Sequence, residues 1–234
     1  MSQKLRCEVV DLVNHGEQVY SIFLKPDSPA PRFVAGQFLQ LALDPYNPGD
    51  FWPQSRAFSI ASPPADRSIL AITYAVKGQF TTRMEAELHV GREVWIKLPY
   101  GEFTINVDRD ACLLAGGTGI TAFIAFLDGL ASDYHRSIYV FYGARNSKLL
   151  IYRPIIESAA NRCANLKPYF LVEEGEAFKS AKGRINLDII WQSIPSPLSI
   201  TYYLSGPPVM LNYLSGALKN QGVPSEQIAI DAWE

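Results

Sequence analysis

For its first hundred residues the chain alternates short apolar stretches with turn residues, at the spacing of antiparallel strands. The candidate strands are Arg6–Leu12, Val19–Leu24, Phe38–Leu43, Arg56–Ile60, Ile69–Ala75 and Glu93–Lys97. Between them fall Pro29, Pro31, Gly36, Pro45, Pro48, Gly49, Pro63, Pro64 and Gly91. Six strands with few helices predict a small antiparallel β-barrel. Gly78–Leu88 interrupts the pattern with a short helix that opens after a glycine.

The pattern changes near Val107. Ala111–Ala115 is a wholly apolar strand that runs into GGTGI and then a helical segment, Ala122–Leu130. Further strands are expected at Ile138–Tyr142, Tyr169–Val172, Thr201–Leu204 and Gln227–Ile230, and helices at Leu149–Ala160, Leu187–Ile190 and Pro208–Lys219. Strands alternating with helices imply a parallel sheet covered on both faces. The boundary is placed around residues 104–110, giving a barrel domain over 1–106 and an α/β nucleotide-binding domain over 107–234.

Composition removes several classes of function. Net charge is −2, and neither half is polarised, with ten basic against eleven acidic residues up to position 106 and eleven against twelve after it. That is not the footprint of a nucleic-acid binder. No apolar run approaches the ~18 residues of a membrane span, and the opening MSQKLRCEVVDL lacks a secretory signal's apolar core, so a cytoplasmic protein is expected. Cys7, Cys112 and Cys163 are widely spaced and odd in number, without the clustering that holds iron–sulfur or zinc centres. They read as reduced, half-buried apolar residues, the three histidines as surface residues, and no metal site is expected.

Four stretches carry candidate chemistry. In Arg56-Ala57-Phe58-Ser59-Ile60-Ala61-Ser62, Arg56 and Phe58 share a strand face. A cation for a pyrophosphate, a flat side chain for a ring and a hydroxyl for a ring nitrogen are what a flavin dinucleotide needs, although the same strand also reads as plain barrel wall. Val76-Lys77-Gly78-Gln79-Phe80-Thr81 opens a helix whose exposed N–H groups suit a phosphate, with Lys77 and Arg83 nearby. ACLLAGGTGITAF is a buried strand, a Gly-rich turn and a helix start, the setting a dinucleotide pyrophosphate requires. Its glycines (Gly116, Gly117, Gly119) do not match GxGxxG. Tyr203-Leu204-Ser205-Gly206-Pro207-Pro208-Val209-Met210 is a strand that enters a helix at the carboxyl edge of the predicted sheet, where ligands bind in open parallel sheets.

Taken in order, these stretches resemble the ferredoxin–NADP reductase family. RAFSIAS is similar to its RxYSxxS flavin strand, GQFT to its phosphate loop, and Leu98-Pro99-Tyr100-Gly101-Glu102-Phe103 to its GPxGxF turn. AGGTGIT is similar to its nicotinamide phosphate loop, Tyr142-Gly143-Ala144-Arg145 to its YGxR strand end, and LSGPPVM to its CGPxxM segment. The resemblance spans essentially the whole chain. It implies an FAD-binding barrel in which Arg56 holds the pyrophosphate, Phe58 lies against the flavin and Ser59 sits near N5. Ala57, Thr73, Tyr74 and Val76 would lie in the same site, and Gly78, Gln79, Phe80 and Thr81 would cap the pyrophosphate. Gly117, Thr118 and Gly119 would contact the nicotinamide nucleotide's phosphates, with Arg145, Glu173, Gly206, Pro207 and Met210 around the same ligand. Asp231-Ala232-Trp233 resembles the family's Glu-x-aromatic ending, which adds Asp231 and Trp233 to Ser59 and Ser205 as catalytic candidates.

The departures are Phe58 for the usual tyrosine, Ala122 for a proline, which loosens the helix start, and Ser205 for the cysteine of CGPP. Glu173-Glu174 stand where NADPH-selective members carry basic residues, which favours NADH, while Arg145 and Lys148 pull the other way. The resemblance therefore implies a reductase that takes hydride from NADH, or less readily NADPH, and releases electrons singly to a separate ferredoxin or oxygenase partner. No C-x4-C-x2-C ferredoxin pattern is present. The alternatives are a reductase of free flavin and an electron-transfer subunit of a larger complex.

Overall fold

The computed structural model describes residues 2–106 and 108–231. The chain divides into two compact units, Met1–Thr104 and Ile105–Glu234.

The first unit contains strands β1 (Gln3–Gly16), β2 (Val19–Pro26), β3 (Phe38–Ala42), β4 (Ser55–Ser59), β5 (Leu70–Ala75) and β6 (Glu93–Tyr100), with helix α1 (Gln79–Glu87) between β5 and β6. They form one antiparallel sheet in the order β4-β3-β6-β1-β2-β5. Buried residues recur at every second position, as Leu5, Cys7 and Val9 on β1 and Val94, Ile96 and Leu98 on β6. That period sends one face of the rolled sheet inward. Phe80 and Met84, one turn apart on α1, plug the interior. The strand β1 is twice the predicted length because register shifts at Val9/Asp11 and Asn14/Gly16 let it bend.

The expected barrel is closed along only part of its seam. The end strands β4 and β5 share no ladder. They meet just past β4, where Ala61 N–H donates to Ala71 O at 2.8 Å and Ala71 N–H donates to Ser62 Oγ at 3.1 Å.

The second unit contains β7 (Ala111–Gly116), α2 (Thr121–Asp128), β8 (Ile138–Ala144), α3 (Arg153–Arg162), β9 (Leu166–Val172), β10 (Ala181–Lys182), α4 (Leu187–Ser193), β11 (Thr201–Ser205), α5 (Pro208–Asn220) and β12 (Ile228–Ile230). Its sheet is parallel throughout, in the order β10-β9-β8-β7-β11-β12. All six residues of the central strand β7 are buried, as expected of a strand covered on both faces. One face packs Ile190 of α4, Ile194 just after it, and Leu211, Leu214 and Leu218 of α5 against Cys112, Leu114, Tyr202 and Leu204.

Several sequence expectations need correction. The helix expected over Leu149–Ala160 starts at Arg153, because Pro154 fits only a first helical turn. The two-residue strand β10 is exposed and too short to show in the sequence. All three cysteines are fully buried and unpaired, not half-buried. His15 is not a surface residue. It is half-buried, its Nε2 lies 2.8 Å from Ser21 Oγ, and Ser21 Oγ lies 2.6 Å from Thr73 Oγ1.

Burial lowers the His15 pKa from 6.5, so the folded chain prefers the neutral ring. The unfolded chain then takes up a proton first as pH falls, and the stability present above about 6.5 declines through the window below it. We expect His15→Gln to flatten the dependence of Tm on pH between about 7.5 and 5.5. A slope equal to that of the parent protein would remove His15 as its source.

Candidate functional site

In the first unit the end strands β4 and β5 share no ladder away from the Ala61–Ala71 bond. One level along, Phe58 and Tyr74 meet edge to face across the gap between them, with ring centroids 6.2 Å apart. Further along, the Arg56 guanidinium carbon lies 5.9 Å from the centre of the Phe80 ring. The gap then opens into a cleft of about 710 Å³, lined by Gln18, Gln54, Val76–Phe80, Thr82 and Arg83. Arg56, Phe58, Val76, Gly78, Gln79 and Phe80 are thereby gathered along one seam. Half-buried Ala57 and Ser59 lie on β4 in register with Gln40 and Phe38. Thr73 is buried against Ser21. Tyr74 is 2% exposed, its phenol is pushed up chiefly by burial, and its hydroxyl has no hydrogen-bond partner among the described residues.

The cleft favours an anion. Gly78 is the N-cap of α1 and has no side chain to cap the first turn, so the opening N–H groups of the helix face outward with the positive end of its dipole. Thr81 Oγ1 accepts from Gly78 N–H at 3.1 Å and Lys77 N–H at 2.9 Å, which fixes the loop. Gly78 therefore contributes shape, while the N–H groups of Gln79, Phe80 and Thr81 supply donors. Arg56 is exposed, with one long bond at 3.4 Å to Ser55 O. Arg83 differs from the sequence expectation. Asp44 grips it at 2.8 and 3.2 Å and Glu87 at 2.9 and 3.3 Å, the Asp44 bond driving its pKa up and that of Asp44 down. Its charge is committed inside the protein.

In the second unit the loops after β7 and β11 touch backbone to backbone. A Cβ on Gly119 would lie 2.5 Å from Ser205 C and O and 2.6 Å from Gly206 N. On the other side, Gly117 has a φ of 54°, and a Cβ there would meet nothing within 4 Å, so a ligand can approach its backbone closely. Gly206, at φ 150°, leaves room for Met210, which also covers Gly116. The helix start that Ala122 was expected to loosen is held by Thr121 Oγ1, which donates to Thr118 O at 2.8 Å. Ser205 is buried and its Oγ donates to Asp231 Oδ2 at 3.0 Å, while Asp231 N–H donates to Leu204 O at 2.9 Å. Two catalytic candidates are thus joined, and Trp233 lies outside the described residues.

At the far side of the same carboxyl edge, Glu173 N–H donates to Ala144 O at 3.1 Å and Glu174 N–H to Arg145 O at 2.7 Å. Arg145 is exposed at the end of β8. Arg184 Nε donates to the Glu173 carboxylate at 2.7 Å. Sequence reasoning missed Arg184, which no motif contains, and it missed Gln18 and Gln54 in the cleft. Among the described residues no cluster of three or more His, Cys, Asp or Glu side chains could hold a metal, and no helix is long and apolar enough to cross a membrane.

An antiparallel sheet with an anion-ready seam and a parallel sheet with a glycine-lined carboxyl edge together define the architecture of flavin- and nicotinamide-binding oxidoreductases. Known proteins agree. The family model of the oxidoreductase NAD-binding domain matches residues 113–215. The NAD(P)H-flavin reductase of Aliivibrio fischeri is 26% identical over 95% of this chain and 93% of its own length. The reductase component of phenol 2-monooxygenase from Pseudomonas sp. CF600 is 30% identical over 86% of this chain and 57% of its own. In fold, the flavohem-like FAD/NAD-binding domain of a Vibrio cholerae nitric oxide dioxygenase superposes with a TM-score of 0.84 at 18% identity, covering 97% of both chains. The chain spans about half the length of its flavohemoprotein and oxygenase-reductase relatives. Residues 113–215 belong to the oxidoreductase NAD-binding domain family, and the chain as a whole is similar to NAD(P)H-flavin reductases and to the reductase components of oxygenases.

Proposed function

We propose that this chain is an FAD-dependent NAD(P)H reductase that passes electrons to a separate ferredoxin-like or oxygenase partner in the cytoplasm. The observation that carries the reading is a pair of loops of different design, each shaped to suit a phosphate. One is the uncapped start of α1 beside the exposed Arg56, and the other is the open Gly117 backbone braced by Gly119. Three buried, unpaired thiols suit a reducing compartment. The name of the phenol 2-monooxygenase relative supports a separate oxygenase partner.

Each residue's part follows from its chemistry. Arg56 and the N–H groups of Gln79–Thr81 hold the FAD pyrophosphate, Phe58 lies against the ring, and Ser59 offers a hydroxyl to it. Gly117, Thr118 and Gly119 admit the phosphates of the nicotinamide nucleotide, with Gly206, Pro207 and Met210 shaping the other wall. The Ser205 hydroxyl donates to Asp231, so its oxygen keeps acceptor lone pairs for a nicotinamide. FAD held there would supply the exchange between a two-electron hydride and single electrons. The protein supplies position.

Purified protein tests the reading. Stoichiometric FAD that is bleached by NADH or NADPH without oxygen supports it, and FAD that neither nucleotide bleaches overturns it. The flavin-reductase relative, matched along nearly its whole length, favours a second reading in which flavin diffuses as substrate. That reading requires a colourless protein that reduces added flavin.

Nucleotide choice rests on Glu173 and Arg184. The carboxylate suits a free ribose 2′-hydroxyl, and NADH is the preferred donor. Arg184 places a guanidinium at the same point, a countercharge for a 2′-phosphate, so NADPH is accepted less well. We expect Arg184→Ala to lower kcat/KM for NADPH about tenfold more than for NADH, and Glu173→Gln to narrow the preference for NADH. Equal effects of each variant on both nucleotides would move the adenosine ribose elsewhere.

A further inference from the structure

The hairpin between β1 and β2 is built against its sequence. Gly16 pairs with Val19, leaving a two-residue turn of Glu17 and Gln18. Their φ angles are 49° and 61°, directly after Gly16 at 84°. Two-residue hairpins of this hand normally carry Asn-Gly. Residues with longer side chains enter the left-handed region at a steric cost, and such outliers concentrate at functional sites.

The turn does not need Gln18 for its own architecture. Gln18 itself is tied to the rest of the unit through its backbone, Val76 N–H donating to Gln18 O at 2.9 Å, a bond any residue could accept. That bond pins the turn to the exit of β5, and Gln18 there lines the cleft together with Gln54 and Gln79. All three side chains are exposed, and none of their amides has a protein partner among the described residues. An amide carries a donor and an acceptor side by side, which matches a heteroaromatic edge with the complementary pair. Adenine presents such an edge, and Gln reads it with two hydrogen bonds elsewhere in biology. The pyrimidine ring of a flavin, with an N–H between two carbonyls, presents another.

We infer that Gln18 is a ligand-reading residue of the cleft, held on a strained turn so that its amide meets a ring edge of the bound flavin nucleotide. This rests on the assignment of the cleft to FAD. It adds a recognition element from a hairpin that no family motif touches, and it gives the positive φ angles of Glu17 and Gln18 a function.

The test replaces the turn by its relaxed sequence in the full chain, Glu17→Asn with Gln18→Gly, alongside Gln18→Ala alone. Apo-protein Tm and affinities for FAD, FMN and riboflavin are measured by flavin fluorescence. The relaxed turn is expected to raise Tm by about 4 °C or more while FAD binds about tenfold more weakly. Gln18→Ala should reproduce the loss of affinity without the gain in Tm. A loss confined to FAD assigns the amide to adenine, and an equal loss for all three ligands assigns it to the flavin ring. Affinities within twofold of the parent in both variants overturn the inference and make the turn purely structural. Failure of the parent protein itself to bind any flavin would instead overturn the assignment of the cleft.

Discussion

Gly119→Ala is expected to reduce kcat/KM for NADH at least a hundredfold and to lower the Tm of the α/β unit. The new methyl group would meet Ser205 and Gly206 at 2.5 to 2.6 Å, against main-chain atoms and not a side chain that can swing away. Neither partner has room to retreat. Leu204 and Ser205 are paired to Leu114 and Ala115 in the parallel ladder, and Gly119 follows β7 by three residues. Overpacking of this kind costs about 1–3 kcal/mol, and displacement of a substrate-positioning loop by about 1 Å costs around two orders of magnitude in rate. Gly117→Ala provides the contrast. Its methyl group meets nothing, so the cost is the left-handed φ, about 1–2 kcal/mol, and the main effect should be a higher KM as the approach of a phosphate is obstructed. A Gly119→Ala protein with parental Tm and KM would show that the two loops are not locked together.

The second large effect is expected at Arg56. Arg56→Ala should weaken FAD binding about a hundredfold, since two charge-assisted hydrogen bonds to a pyrophosphate are worth roughly 1.5–3 kcal/mol each before the charge is solvated again. Apo-protein stability should stay within about 0.5 kcal/mol, because Arg56 is exposed and makes a single long bond to Ser55 O. Arg56→Lys should retain part of the affinity, keeping the charge but not the fork. Raising the salt concentration should weaken FAD binding in the parent protein more than in Arg56→Ala. Recovery of Arg56→Ala with a full complement of FAD would place the pyrophosphate elsewhere.

What could be read from the sequence was what depends on neighbours along the chain. The period-two strands and the apolar β7 are local patterns. So is the glycine requirement of the loop after β7, where a missing Cβ is the whole signal. The residues that escaped are set by distant partners. Arg83 reads as a cation beside a phosphate loop, yet Asp44, 39 positions away, takes its charge. Arg184 acquires meaning only because the chain returns from β10 to place it on Glu173, 11 positions earlier. Glu17 and Gln18 are poor residues for a left-handed turn, so propensity argues against the conformation they adopt. At Leu149–Ile151 an apolar run imitates the start of a helix that Pro154 fixes further on.

The partly closed seam gives the N-terminal unit a dependence on its surroundings. Beyond Ala61 and Ala71, β4 and β5 are two facing strand edges without a shared ladder, and unpaired edges are templates for pairing with other chains. A flavin nucleotide bound as proposed would lie against those edges. At a free concentration one hundred times its Kd it adds about 2.7 kcal/mol to the folded state, a large part of a typical domain's margin. If the proposed site holds, survival of the chain against proteolysis and aggregation would report how much flavin nucleotide the cell makes available.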